Sequence, residues 1–393
     1  EPSTGAVSSQ DVQEQAAAAL SALALHDEAM QDAIVRGGGV APLLSLVREG
    51  TDLAQEHGAR AICRLAAASH NQRALIEAGA CPELISLMRV GSPKAQECAV
   101  AGLLDLVRGF GGGETGGGEA GHEPAAEGEE GQEGGAQLLV QIVEAGGIVP
   151  LVGLLSSGSP QGKEKAVAAL CQLAVEPSNR DAIVTHGGIP AIVSLLDDRS
   201  LAKHGHATKA LLSLSQEWDG TFEPTRLLAI AKWLTSMLSS AKSPEGRRRT
   251  ARVMRELAST NPGSDKLIVS NAGAVAPLMK LLSAGNADVM PDVVETLLQL
   301  ARGNHENQCA IGAGLVKAFC SGSDEVQAAT VGLMLSLANL DMDARRALVR
   351  VGAAPPLAAH LASCKSHRSI ELRVALLADL CTEGDLGITA VVG

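Results

Sequence analysis

The feature that most constrains this chain is a repeat. The segments RGGGVAPLLSLV (36–47), EAGACPELISLM (77–88), EAGGIVPLVGLL (144–155), THGGIPAIVSLL (185–196) and NAGAVAPLMKLL (271–282) share one plan: a turn glycine, a small or proline-containing step, then an apolar run. Seven anchor glycines, Gly38, Gly79, Gly146, Gly187, Gly273, Gly314 and Gly352, are separated by 41, 67, 41, 86, 41 and 38 residues. The period is near 41; the gap of 67 is one period plus an insertion, and 86 is two periods with a few extra residues. A unit of this length buries its apolar face only against its neighbours, so the chain reads as one stacked array.

A second phase runs in step with the first. A helix-period segment follows each anchor, as in VQEQAAAALSALA (12–24), AQEHGARAICRLA (54–66), AQECAVAGLLDLV (95–107), GKEKAVAALCQLA (162–174), VVETLLQLA (293–301), VQAATVGLMLSLA (326–338) and ELRVALLADLC (371–381). Apolar residues recur three and four apart, the stripe of an amphipathic helix. A short helix precedes the anchor, with Asn71, Asn179 or Asn307 as its expected N-cap and the glycine as its stop. The unit is therefore a short helix, a glycine turn, a medium helix, a polar turn and a long helix.

Composition agrees. Hydrophobic residues make up 46% and aromatics 1%, with no Tyr, so the core is Leu, Ile, Val and Ala, which suits close-packed helices. No apolar run reaches the ~18–20 residues that span a bilayer. With 32 basic against 44 acidic residues the net charge is −12, which argues against a nucleic-acid coat, and two Trp with three Phe make no base-stacking platform. The eight cysteines form no C-x-x-C pair and most sit in apolar helical runs, as reduced, buried thiols in a cytoplasmic or nuclear setting would.

This pattern, N-x-x-x-(V/I)-x-x-G-(G/A)-(I/V)-P-x-L-(V/I)-x-L-L followed by V-Q-E-x-A-A-x-A-L-x-x-L-A, resembles the armadillo repeat family. The resemblance implies an all-α, right-handed superhelical solenoid of three-helix repeats whose third helices line a concave groove. Residues 1–108 read as repeats, the first partial; 109–135 as an insertion; 136–393 as repeats again, with 217–259 degenerate. The array reads as starting and stopping mid-repeat, ITAVVG (388–393) resembling a short-helix ending. The insertion holds 12 Gly and seven Glu with no Lys or Arg, and is expected to be a disordered acidic loop. It carries seven of the twelve net negative charges, leaving −5 for the other 366 residues. Trp218 and Trp233 of the degenerate repeat read as packing anchors at an irregular junction.

In nuclear-import adaptors of this family the groove carries a Trp and, one turn on, an Asn in most repeats. The matching positions here include Arg60 and Arg64, Ala101 and Asp105, Ala168 and Gln172, Lys209 and Ser213, Arg252 and Glu256, and Glu295 and Gln299. None is Trp or Asn, so the ladder that clamps a basic peptide is missing. One turn earlier stand Glu14, Glu56, Glu97, Glu164 and Arg248. The Arg-rich run GRRRTARVMRE (246–256) reads as a solvated helix face or a contact for carboxylates, which Arg pairs bidentately.

No P-loop, G-x-S-x-G or H-E-x-x-H motif occurs, and His204 and His206, two apart on a helix, face different sides. The expectation is a non-enzymatic scaffold, without cofactor, metal or small-molecule substrate, holding an extended or helical segment of a protein partner along the groove. Arg60, Arg64, Asp105, Gln172, Lys209, Arg248, Arg252, Glu256, Glu295 and Gln299 are the expected contacts. Alternatives are the substrate-binding array of a larger ubiquitin ligase with a U-box, a membrane-docked scaffold similar to vacuolar armadillo proteins, and a nuclear-import adaptor, which the missing ladder disfavours.

Overall fold

The computed structural model describes residues 9–25, 27–108, 129–198, 201–216, 223–260, 268, 272–286, 288–361 and 367–381. Regular structure among them is helical, and the chain divides into two compact units, residues 1–195 with 200–213, and residues 196–199 with 214–393. Most of the acidic insertion (109–128), Trp218, Cys364 and the terminal ITAVVG lie outside the described residues.

In the first unit α1 (Ser9–Leu23) is a lone long helix. Full triplets follow: α2 (Glu28–Arg36), α3 (Val40–Glu49) and α4 (Asp52–Ala66); then α5 (Ser69–Glu77), α6 (Ala80–Val90) and α7 (Pro93–Arg108). Next come α8 (Glu129–Glu144), α9 (Ile148–Ser157) and α10 (Pro160–Leu173); then α11 (Pro177–Thr185), α12 (Gly188–Ser194) and α13 (Leu201–Ser215). The backbone of α8 is helical from Glu129, inside the segment expected to be loop. The long helices pack side by side, α1 on α4, α4 on α7 and α7 on α10, across the insertion as elsewhere.

The second unit holds α14 (Pro224–Ser240), α15 (Pro244–Thr260), α16 (Val275–Ser283), α17 (Met290–Ala301), α18 (His305–Ser321), α19 (Asp324–Ala338), α20 (Met342–Arg350), α21 (Ala354–Ala359) and α22 (His367–Cys381). Its long helices pack α15 on α17, α17 on α19 and α19 on α22. The degenerate repeat departs from the plan by using one long helix, α14, where a short and a medium one were expected. Trp233 on α14 is 47% exposed, so it is not the packing anchor the sequence suggested.

Six of the seven anchor glycines, all but Gly314, have φ between 69° and 86°, the left-handed region that only glycine enters without strain. Around Gly38 the Gly39 N–H donates to the Ile34 carbonyl at 2.9 Å and the Gly38 N–H to Val35 at 3.1 Å, the paired bonds of a Schellman stop. Gly314 is the exception. It lies inside the continuous helix α18, where a short and a medium helix with a turn were expected. Proline is the physical reason. Each of the six turn glycines is followed within four residues by Pro42, Pro82, Pro150, Pro190, Pro277 or Pro355. Proline has no N–H to give to a preceding turn, so it favours a new first turn over a continuing helix. After Gly314 come Leu315, Val316, Lys317 and Ala318, and nothing interrupts the hydrogen-bond ladder.

The asparagines also behave differently from the sequence expectation. The short helices are capped by Asp27, Asn304 and Asp341, which accept from the N–H three residues on at 2.7, 3.1 and 2.7 Å. Asn71, Asn179 and Asn307 sit inside the first turn and are buried. Asn179 Nδ2 donates to the Leu173 carbonyl at 3.2 Å and to Leu139 at 3.3 Å; Asn307 Nδ2 donates to Leu300 at 2.7 Å. The following residue repeats the device: Gln72 on Ala66 at 2.9 Å, Arg180 on Ala174 at 2.8 Å, Gln308 on Ala301 at 3.1 Å. A long helix leaves its last carbonyls without partners, and buried carbonyls left so cost about 1–3 kcal/mol each. Each short helix therefore satisfies the end of the long helix before it, which sets the angle of the turn.

Candidate partner-binding face

The long helices carry the expected contact residues. On α4, α7 and α10 the buried stripe is Leu65, Ala99, Leu103, Leu106, Val167 and Leu170 and their neighbours, which leaves Glu56, Arg60, Cys63, Arg64, Glu97, Cys98, Asp105, Glu164, Lys165 and Gln172 half-buried along one strip. Ala101 and Ala168, each 3% exposed, stand at the centre of the strip. The middle of the strip is thus alanine, with Glu97 and Glu164 one turn to one side and Asp105 and Gln172 one turn to the other.

Several of these side chains are engaged with one another. Arg60 pairs with Glu56 one turn back. Arg64 reaches α1, donating to the Ser21 carbonyl and, at 3.1 Å, to Ser21 Oγ, so it ties two repeats together. Asp105 accepts from the Cys63 thiol at 3.7 Å and lies 3.9 Å from Arg108. Burial holds the Asp105 carboxyl above the usual carboxylate range, against the pull of Arg108 and Lys165. Burial likewise, helped by Asp105, pushes the Cys63 thiol to about 12, and burial pushes Cys81 and Cys171 to about 11. These thiols stay protonated and unreactive at neutral pH. Cys320, by contrast, is exposed. Gln172 is half-buried and Lys209 on α13 is exposed.

In the second unit Arg248 and Arg252 on α15 share Asp292 on α17, with N–O distances of 3.0 and 3.5 Å, and Arg255 pairs with Glu295. Arg249 turns the other way and donates to the Leu196 carbonyl at 3.2 Å. Arg248, Arg249, Arg252 and Arg255 of the Arg-rich run are thus spent on carboxylates and carbonyls of their own unit. Glu256 and Gln299 are half-buried on the same pair of helices. The structure brings Arg248, Arg252, Glu256, Glu295 and Gln299 onto packed neighbours, and Arg60, Arg64, Asp105 and Gln172 onto another packed set.

Asp292 is the residue sequence reasoning missed. The signal was available: it stands 40 residues after Arg252, one repeat on, as Glu295 does after Arg255. Opposite charges one period apart face each other across the stack. His204 is buried and His206 half-buried, and no cluster of three metal-ligating side chains occurs among the described residues. No single helix among them is long and apolar enough to cross a membrane.

Comparison with known proteins agrees with this geometry. A family model described as Armadillo-like matches residues 148–335. A crystal structure described as an engineered protein is 26% identical, covers 98% of this chain and 88% of its own, and superposes with a TM-score of 0.54. A second engineered protein is 23% identical over 67% of this chain and 96% of its own, at a TM-score of 0.45. No curated protein matches the sequence.

Proposed function

We propose that this chain, which matches an Armadillo-like family model over residues 148–335 and has a fold that is typically a non-enzymatic scaffold, holds an extended or helical segment of a protein partner on the face made by its long helices. The observation that carries this reading is the strip on α4, α7 and α10. Adjacent helices present small residues, Ala101 and Ala168, in register, with polar groups one turn to either side. Alanine at these positions lets a partner backbone approach closely, and the flanking Glu97, Glu164, Asp105 and Gln172 offer acceptors and donors at the repeat spacing. Affinity then comes from many small contacts on a rigid surface that loses little entropy on binding. The positions where an import adaptor carries Trp and Asn hold neither, which supports a partner other than a basic nuclear signal. Seven free thiols among the described residues support an intracellular, reducing setting.

The test is selection of a displayed peptide library on the full chain, followed by binding of the selected peptides to Arg60→Glu and Arg252→Glu variants. Binding weakened about tenfold or more, with unfolding midpoints within a few degrees of the parent, is the expected result. Selected peptides that bind both variants as well as the parent would overturn groove binding.

A further inference from the structure

The missing turn at Gly314 leaves a feature that the repeat plan does not contain. Where α18 runs straight through Gly314, it lies beside α16 with a cleft of about 580 Å³ between them. That is the volume of a small-ligand or side-chain pocket. The floor is Met279 and Gly314, and a Cβ at Gly314 would come within 2.8 Å of Met279 Cγ, so the two helices are in contact there with no room for a side chain. Above that contact the walls are small, Ala276 from α16 and Ala310 from α18, and both are exposed. Two lysines, Lys280 from α16 and Lys317 from α18, line the cleft together with one carboxylate, Glu306 in the first turn of α18. Both are exposed, and neither has a carboxylate within ion-pair distance among the described residues. In this unit Arg248, Arg252 and Arg255 of α15 have found carboxylates one repeat away, and these two lysines have not.

We propose that this cleft is a second docking site, separate from the long-helix face, for an acidic amphipathic helix of a partner protein. The cleft runs between two helices and is open to solvent, which suits a helix laid across it, with bulky apolar side chains entering between Ala276 and Ala310. The small walls let the incoming backbone come close. Lys280 and Lys317 then each meet a carboxylate placed one turn from an apolar anchor. A basic helix would bring like charges against the two lysines, which outnumber the single carboxylate Glu306, so the lysine-lined end of the cleft selects for acid.

The probe is a short, fluorescein-labelled, stapled helical peptide with Leu at two positions four apart and Glu one turn from each. Its partner control carries Lys in place of Glu. Fluorescence anisotropy on the full chain reads saturable binding of the acidic peptide and none of the basic one. The double variant Lys280→Glu/Lys317→Glu loses about tenfold or more in affinity for the acidic peptide and gains binding of the basic one. Ala276→Trp fills the cleft and abolishes binding; Ala310→Trp does the same from the other wall should the first variant unfold. Arg60→Glu and Arg252→Glu leave the acidic peptide's affinity unchanged, which separates this site from the long-helix face. No saturable binding, binding indifferent to both the lysine reversal and the tryptophan fillings, or equal loss in the Arg60 and Arg252 variants would each overturn the proposal.

Discussion

The seam between α4 and α7 and the seam between α15 and α17 join equivalent helices of successive repeats by different means. At the first, Gly102 of α7 lies against α4 so closely that a Cβ would sit 3.4 Å from Cys63 Cα. Ala59, Ala61, Ala99 and Ala101 are all buried around it. At the second, Arg248 and Arg252 grip Asp292, Arg255 grips Glu295, and the Thr296 hydroxyl donates to the Ala251 carbonyl at 3.0 Å. One seam is held by close approach of small residues and the other by charge and hydrogen bonds. A repeat period fixes where neighbouring helices meet and leaves open the chemistry that joins them. The two seams should therefore fail under different insults.

The largest effect expected is from added volume at the first seam. Gly102→Val puts two methyl groups where Cys63 backbone and Leu84 Cδ1 already stand within contact distance, both lying in the interior. Overpacking of this kind costs about 1–3 kcal/mol. Urea unfolding followed by probes in each unit should show the loss in the first unit alone. An equal shift of both transitions would mean that the two seams are not independently stressed. Thr296→Val at the second seam, which removes a hydroxyl and little volume, makes the matched comparison.

The next effect belongs to the second seam. Asp292 is only 12% exposed on its side chain, whereas Arg248 and Arg252 are 38% and 49% exposed. Solvent screens such pairs, so Asp292→Ala should cost about 1 kcal/mol, most of it from leaving two arginines without their shared acceptor. Screening also gives the distinguishing readout. The second unit of the parent should lose stability between low and high salt, and the variant should lose less, because the interaction that salt weakens is already gone. A salt dependence that is the same in both proteins would assign the seam to packing after all.

The two seams were not equally legible in the sequence. The period, the order of helices and six of the seven turns are written in glycines, prolines and apolar spacing, because backbone conformations that only Gly or Pro favours leave a mark on single residues. The seventh turn misled because glycine permits a left-handed turn without requiring one. The decisive mark was the absent proline after Gly314. Asn71, Asn179 and Asn307 look like caps because asparagine is a good one, yet the Asn179 and Asn307 amides are used across space on carbonyls of other helices. Local preference does not report such partners. The same holds for part of the candidate face: Arg64 reads as an exposed charge, and its partner Ser21 on α1 emerges only from the stack, whereas Glu56 lies one turn from Arg60 and Asp292 one period from Arg252. Trp233 shows the converse, a residue type usually buried that α14 carries half in solvent.

The smallest effect tests why the first seam carries a carboxylate at all. Asp105 stands amid small residues, with its carboxyl raised by burial and only partly relieved by Arg108, Lys165 and the Cys63 thiol. A carboxyl whose folded value lies above its unfolded one binds its proton more tightly in the folded state. Stability is then greatest below the unfolded value, near pH ~4, and falls as pH rises through the folded value, after which the penalty is constant. Asp105→Asn keeps the shape, removes the charge and can still accept from Cys63. It should raise stability at pH ~7 by less than about 1 kcal/mol, and its advantage should vanish as the pH falls below ~4. Unfolding midpoints of variant and parent across that pH range give the sign directly. If the variant is the weaker protein at neutral pH, the ion pair with Arg108 outweighs burial, and this seam is closer to the charged one than its small residues suggest. If it is the stronger, the chain keeps a destabilising carboxylate on the face proposed to meet its partner, where a peptide N–H or a basic side chain would supply the compensation that the fold does not.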